Sequence, residues 1–257
     1  MYKLFKRTHT PGSFEIQMAG ACDPGRARDH NEDAIAIQED DGRGYYLALV
    51  CDGMGGHNAG EVASAVAVAT ISTYLSDNFG KVTNDLLLEA AFAMASDAID
   101  EQAELNPDAR GMGCTCVMVL GVRDRFWVAW AGDSRCYRVK SSKIKQLSTD
   151  HTVVQELVDQ NLITPEQAAI HPYRGRISRC LGHGKNKGQP SIREYEFPVG
   201  ANVMLCSDGL SDVLRDDELM ALVGQRDVRS SARRLIEAAN GAGGPDNISA
   251  IVMRRVV

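Results

Sequence analysis

Tyr45-Tyr46-Leu47-Ala48-Leu49-Val50-Cys51-Asp52-Gly53 is an apolar strand that halts at a carboxylate. Tyr and Val suit a pleated, half-buried backbone, and Asp-Gly is a turn dipeptide. The stretch therefore reads as a strand whose end presents Asp52 at an edge of a sheet. The same punctuation recurs along the chain. Trp130-Ala131-Gly132 runs into Asp133, residues 203–206 pass through Ser207 into Asp208-Gly209, Asp246-Asn247 opens a final strand, and Glu32-Asp33 precedes another. A single Asp-Gly after a strand is usually only a turn, but its repetition points to strand ends that share one edge.

Working outward, further strand-like runs cover residues 14–21, 34–38, 115–122, 126–131, 136–139 and 248–254, rich in Val, Ile, Tyr, Trp and Cys. Arg123-Asp124 and Ser141-Ser142 separate neighbours closely enough for hairpins, and hairpins make antiparallel sheet. Two long helical patterns intervene: residues 60–79, closed by Gly80, and residues 84–105, followed by Pro107. In the second, Leu88, Phe92, Ala95 and Ile99 recur at helical spacing while Asp97, Asp100, Glu101 and Glu104 lie mostly off that stripe, which gives one buried and one wet face. Residues 216–223 and 229–239 read as two more amphipathic helices. Grouped strands with helices in pairs indicate an α+β protein rather than a βαβ repeat. Residues 149–188 change character: the segment is polar, holds His151, His171, His183 and Pro165, and reads as a lobe inserted into the sheets with a short helix near residues 152–160. One domain over residues 1–257 is the economical organisation, with residues 1–13 as a frayed basic arm.

Composition narrows the function. The chain has 257 residues, 44% hydrophobic and 24% charged, with 34 acidic against 28 basic side chains and a net charge of −6. No basic surplus is available to release counterions from a nucleic acid, so nucleic acid is not the expected partner. Neither a signal peptide nor a membrane-spanning segment is legible. The seven cysteines are odd in number and form no C-x-x-C pair; reduced thiols in a cytoplasmic protein are the expectation.

Carboxylates that converge cannot all ionise without a cation between them. The donors on offer are hard oxygens, and the histidines and cysteines show no zinc spacing, so Mg²⁺ or Mn²⁺ is favoured over Zn²⁺. Paired hard cations suit hydrolysis of a phosphoryl group, because they lower the pKa of a water and hold the group for in-line attack. Arg28 supplies a planar fork for that phosphate.

Arg28-Asp29-His30-Asn31-Glu32-Asp33, Asp52-Gly53-Met54-Gly55-Gly56-His57, Gly132-Asp133-Ser134-Arg135, Cys206-Ser207-Asp208-Gly209-Leu210 and Gly244-Pro245-Asp246-Asn247 resemble, in this order, the motif series of the metal-dependent type 2C (PPM) serine/threonine phosphatases in their compact bacterial form. Residues 147–152 and His171-Pro172 are similar to that family's flap. The resemblance implies a sandwich of two antiparallel β-sheets flanked by helix pairs, in one phosphatase domain with a flap at about 149–188. It implies that Asp52, Asp208 and Asp246, with the Gly53 carbonyl, bind two metals, Mn²⁺ or Mg²⁺. Asp133 would hold a third with Asp208 and a flap carbonyl near Gly175. Arg28 would bind the substrate phosphate, and Glu32 and Asp33 would orient waters. The implied activity is hydrolysis of phosphoserine and phosphothreonine in proteins without a phosphoenzyme, by a monomer that reverses a bacterial serine/threonine kinase. Animal members carry a His directly after Asp-Gly as the proposed acid; Met54 stands there and cannot donate a proton, which leaves a water or, three residues on, His57.

Three other readings compete. Cys22-Asp23-Pro24-Gly25-Arg26-Ala27-Arg28 has the C-x-x-G-x-x-R spacing of cysteine-dependent phosphatases, but Asp23 and Asp29 would face an incoming dianion and no helix begins there to lower the thiol pKa. The glycines of 55–60 resemble a nucleotide-binding loop with Glu61 where Lys must stand, which reverses the charge. A pseudophosphatase that only binds phosphoproteins predicts a lost metal ligand, yet Asp52, Asp208 and Asp246 are all present. Ser134, Arg135 and Asn247 read as polar ties between loops.

Overall fold

Alternation along the apolar runs decides how the strands are layered. In β4 (Tyr45–Met54), Tyr46, Ala48 and Val50 join one core cluster and Leu47, Leu49 and Cys51 another, and all six are buried. Side chains alternate along a strand, so a strand buried on both faces belongs to an inner layer covered on each side. The computed structural model describes residues 3–9, 15–56, 59–184, 187–224 and 227–257.

Among the described residues one sheet has seven strands. Its path runs β10 (Leu181–Gly182), β5 (Gly113–Cys114), β4, β6 (Cys116–Val122), β7 (Arg125–Ala131) and β11 (Ser191–Glu196), with β3 (Asp33–Asp40) also paired to β4. The other has six, in the order β1 (Lys3–His9), β2 (Ile16–Asp23), β13 (Ile248–Arg255), β12 (Asn202–Cys206), β8 (Arg135–Lys140) and β9 (Lys143–Gln146). The ladders are antiparallel, as the hairpin spacing requires.

The sheets face each other across Tyr46, Val50, Phe126, Trp130, Phe197 and Ile251. Helices α1 (Ala59–Asn78) and α2 (Asn84–Leu105) cover the outer face of the seven-stranded sheet through Ile71, Leu75, Leu88, Phe92 and Ile99. On the six-stranded sheet, α5 (Asp208–Ser211), α6 (Asp216–Val223) and α7 (Val228–Gly241) bury Leu210, Leu219, Leu235 and Ile236 against Met204 and Val252. The α+β sandwich read from the sequence is the observed architecture. Among the described residues no helix is long and apolar enough to cross a membrane.

The inserted lobe carries α3 (Val153–Asp159) and α4 (Pro165–Ala169). Thr152 caps the first by accepting from the Gln155 amide at 3.2 Å, and Thr164 and Gln167 form a capping box on the second. Both ends of the lobe are tied down: the His151 amide donates to the Gly132 carbonyl at 2.9 Å, Thr152 bridges to Ile177, and β10 rejoins the seven-stranded sheet.

The N-terminal arm corrects the sequence reading. Residues 3–9 are not frayed; they form β1, in continuous antiparallel register with β2 from Lys3 opposite Cys22 to His9 opposite Ile16. The open hydrogen-bonding edge of β2 supplies the partner, and lysines are common on such edge strands. The remaining residues of the arm, and His57, lie outside the described residues.

Candidate functional site

Register brings the predicted carboxylates together. Asp33 opens β3 directly opposite Asp52 near the end of β4. Asp133 follows β7, Asp208 begins α5 after β12, and Asp246 precedes β13. Arg28, Glu32, Asp52, Gly53, Asp133, Asp208 and Asp246 line one pocket of about 240 Å³. Seven of the eight predicted site residues thus share a wall, and the eighth, Asp33, is buried behind it.

The backbone is held for this purpose. A Cβ at Gly53 would come within 2.0 Å of the Gly60 carbonyl oxygen and 2.6 Å of the Glu32 carbonyl oxygen, so only glycine lets β4 pass between α1 and the loop before β3. The Gly53 amide donates to that Glu32 carbonyl at 3.1 Å. Asn247 is the hub of the loops, as its reading as a tie anticipates. Its side-chain nitrogen donates to the Pro24 carbonyl at 3.0 Å and the His30 carbonyl at 2.8 Å, while its Oδ1 accepts from the Glu32 amide at 2.8 Å. Arg135 grips Asp150 with Nη2 to Oδ2 at 2.6 Å, and Ser134 meets Thr115 Oγ1 at 2.7 Å.

Two positioning residues escaped the sequence reading. Thr115 Oγ1 accepts from the Asp52 amide at 3.2 Å, and Ser207 Oγ donates to Asp33 Oδ2 at 2.7 Å while accepting from the Ser249 amide at 2.9 Å. Ser207 stands between an apolar run and Asp208-Gly209, a context that gave it no separate signal. Thr115 is hidden between two cysteines of an apolar run.

The electrostatics run in one direction. Burial, then the charges of Asp33, Asp208 and Asp133, push Asp52 well above the carboxylate range. Asp33 rises to about 7 through burial, against its hydrogen bonds from Ser249 and Ser207, and its Oδ1 is buried with no hydrogen-bond partner. Asp133 also rises to about 7, through burial and then Asp208 and Asp150. Burial raises Asp208, with Asp212 and Asp246 adding to it. Burial raises Glu32 as well, opposed by Arg28. Arg28 itself sits at the mouth, half-exposed, with Nη2 2.8 Å from Asp246 Oδ2.

Such a cluster needs protons or cations. Hard oxygens fit Mg²⁺ or Mn²⁺, and the orphaned Asp33 oxygen marks a place where a water of a hydrated ion has a ready acceptor. Among the described residues no group of three or more carboxylate, imidazole or thiol side chains stands close enough together to hold a metal ion by itself. Cys22 is not poised as a nucleophile: burial and then Asp33 push its thiol up to about 11, and Asn31 and Ser249 donate to its sulfur at 2.8 and 3.0 Å.

Comparison with known proteins agrees with this geometry. The profile of the family "Protein phosphatase 2C" matches residues 26–252. The serine/threonine protein phosphatase PstP of Mycobacterium tuberculosis is 39% identical over 240 residues, which are 92% of this chain and 44% of the relative, so the chain spans less than half of that relative's length. The serine/threonine phosphatase stp of Listeria innocua is 32% identical over 91% of this chain and 93% of its own. Among solved structures, the M. tuberculosis phosphatase PstP/Ppp superposes with a TM-score of 0.83 at 37% identity, covering 93% of this chain and 98% of the other. The catalytic domain of PstP in complex with two manganese ions superposes at 0.82 with 36% identity, over 94% and 99%. The ordered motifs, the sandwich and these matches together place the chain in the protein phosphatase 2C family.

Proposed function

We propose that the chain hydrolyses phosphoserine and phosphothreonine in proteins, using Mn²⁺ or Mg²⁺. The observation that carries this is the convergence of four strand-end aspartates in one pocket where burial raises Asp52, Asp133 and Asp208, with a guanidinium at its mouth. Asp52, Asp208 and Asp246, with the Gly53 carbonyl, are the residues that would hold two ions. Asp133 and Asp208 would hold a third. Gly175 of the lobe lines a wider cleft together with those two aspartates, which supports its carbonyl as a flap ligand. Bound there, divalent ions lower the pKa of a water and neutralise charge on the transferring phosphoryl group.

The chain's own residues do the rest. Arg28, half-exposed and paired to Asp246, can exchange that carboxylate for two phosphate oxygens as substrate enters. Glu32 and Asp33 accept hydrogen bonds from waters and so fix their orientation. Ser207 and Thr115 fix Asp33 and the Asp52 backbone in turn. Met54 lines the pocket and donates no proton, so the leaving oxygen takes its proton from solvent inside the site.

The substrate is a phosphoprotein, and the counterpart is a serine/threonine kinase of the same bacterial cytoplasm. The enzyme acts as a monomer. The 39% identity to a protein named as a serine/threonine phosphatase, and the manganese complex of that protein's catalytic domain, support this assignment. The test is hydrolysis of a phosphothreonine peptide by purified protein with Mn²⁺, with Mg²⁺ and with chelator. Turnover with either ion and none in chelator is expected; turnover that survives metal removal, with metal content measured, overturns the proposal.

A further inference from the structure

Charge in this chain is segregated. The net charge is −6, yet residues 161–193 carry Arg174, Arg176, Arg179, Lys185, Lys187 and Arg193 against Glu166 alone. Among the described residues Lys187 pairs with Asp100, Arg193 lies over the Trp130 ring and Arg176 over Tyr173. Arg174 and Arg179 make no ion pair with the described residues, and of the two it is Arg174 that lines the cleft beside the carboxylates, on a fixed backbone. Its amide donates to the His171 carbonyl at 3.1 Å. The next residue, Gly175, leads to Arg176, whose carbonyl accepts from the Val153 amide at 2.9 Å, beside the bridge between Thr152 and Ile177.

Arg174 lines a cleft of about 700 Å³ that begins at Asp133, Asp208 and Asp246 and runs between the lobe and α5. The floor is neutral in itself, since Arg135 and Asp150 hold each other in several hydrogen bonds. Asp212, at the end of α5, lines the cleft as well. With a phosphoresidue in the carboxylate pocket, its neighbours, spaced at about 3.3 Å per extended residue, fall in this cleft. An anion there is repelled from Asp212 and drawn to the lobe, where a guanidinium can take a carboxylate or phosphate in bidentate fashion.

We infer that this cleft selects substrates bearing an anionic group within a few residues of the target phosphate, and that Arg174 is the selecting residue. The inference rests on the phosphatase reading and adds a substrate class to it. The anion is an acidic side chain or a second phosphate, and the test separates the two.

Phosphothreonine peptides that differ only in the flanking residues, carrying Lys, Ala, Asp or phosphoserine, are hydrolysed by the full chain with Mn²⁺, beside p-nitrophenyl phosphate. Expected is kcat/KM about fivefold or more above the Lys peptide when an anion flanks the target. Arg174→Glu should abolish or invert the ratio, and Arg174→Lys should keep most of it. A preference for phosphoserine without one for Asp assigns the site to a second phosphate, and a preference for both assigns it to anions in general. Turnover of p-nitrophenyl phosphate and of all peptides without charge preference sinks this inference alone, as does a preference that Arg174→Glu leaves intact. No turnover of any substrate sinks the phosphatase reading and the inference with it.

Discussion

Cys51 and Asp52 are successive residues of β4 that face opposite layers. Cys51 lies with Cys114 and Cys116 in the apolar cluster under α1 and α2, while Asp52 opens into the carboxylate pocket with Asp133 and Asp208. Burial acts on both sets in the same chemical direction, penalising the charged form. Cys114 and Cys116 are pushed well above the thiol range and stay neutral at pH 7, while hydrogen bonds from those two draw Cys51 down against its burial, so the layer satisfies itself among its own thiols. Carboxylates are ordinarily ionised at that pH, so even the partial burial of Asp52, Asp133 and Asp208 leaves them needing a proton or a cation. One residue step along a strand therefore separates inert packing from a demand for metal.

The largest test of that contrast removes ligand charge. Asp52→Asn or Asp208→Asn should lower kcat on a phosphothreonine peptide by about a thousandfold or more, since each takes a charge from between closely spaced cations. Circular dichroism of both variants checks that they are folded. A folded Asp52→Asn protein with near-parental turnover would refute the metal reading of this edge. Next in size is Asp133→Ala. If Asp133 holds a third, weaker ion, the variant should retain two bound metals by calorimetry, lose about tenfold in kcat at saturating Mn²⁺, and melt almost unchanged. A turn residue would behave in reverse, costing stability and leaving kcat alone.

How much of this the sequence disclosed depends on which physical signal each part emits. Runs such as Leu47-Ala48-Leu49-Val50 declare a strand because an unbroken apolar run stops at a turn dipeptide, and α2 and α6 match their predicted bounds because their apolar stripes and terminators agree. β9 (Lys-Ile-Lys-Gln) and β11 (Ser-Ile-Arg-Glu-Tyr-Glu) emit no such run: both end their sheets, where one flank is open and charged residues are welcome. The two-residue strands β5 and β10 emit no pattern of their own: β10 pairs with β5, and β5 with the end of β4. At the site, the aspartates were legible from the abrupt stop of apolar sequence. Ser207 and Thr115 were not, because their roles follow from contacts with Asp33 and Asp52 at long sequence separation.

The carboxylate layer should also respond to pH in a way the thiol layer does not. Asp33 and Asp133 titrate near 7 in the metal-free fold and near the ordinary carboxylate value when unfolded. Folded-state values raised in this sense give stability that is full below about pH 4 and is lost as pH climbs to 7 and beyond. Metal must displace those protons, so its stabilisation grows over the same window. The rise in Tm on adding Mn²⁺ should therefore be several degrees larger at pH 8 than at pH 5. An Mn²⁺-induced shift that is flat from pH 5 to 8 would show that these carboxylates do not take up the ion.

The smallest expected effect falls on the one thiol that touches the carboxylate side. Cys22 lies beside Asp33, with its sulfur 3.9 Å from the Asp33 carbonyl oxygen, and it shares the spacing to Arg28 that a cysteine-dependent phosphatase would need. Asn31 and Ser249 donate to that sulfur, and a hydroxyl at the same place accepts the same two hydrogen bonds over a slightly shorter reach. With the thiol held at about 11, roughly one molecule in ten thousand carries a thiolate at pH 7. Cys22→Ser should accordingly keep kcat/KM within a few-fold and shift Tm modestly through packing. Arg28→Ala cannot separate the two chemistries because both use Arg28, whereas Cys22→Ser can. A folded Cys22→Ser protein that loses several orders of magnitude in kcat would place the nucleophile on sulfur and erase the distinction between the two layers.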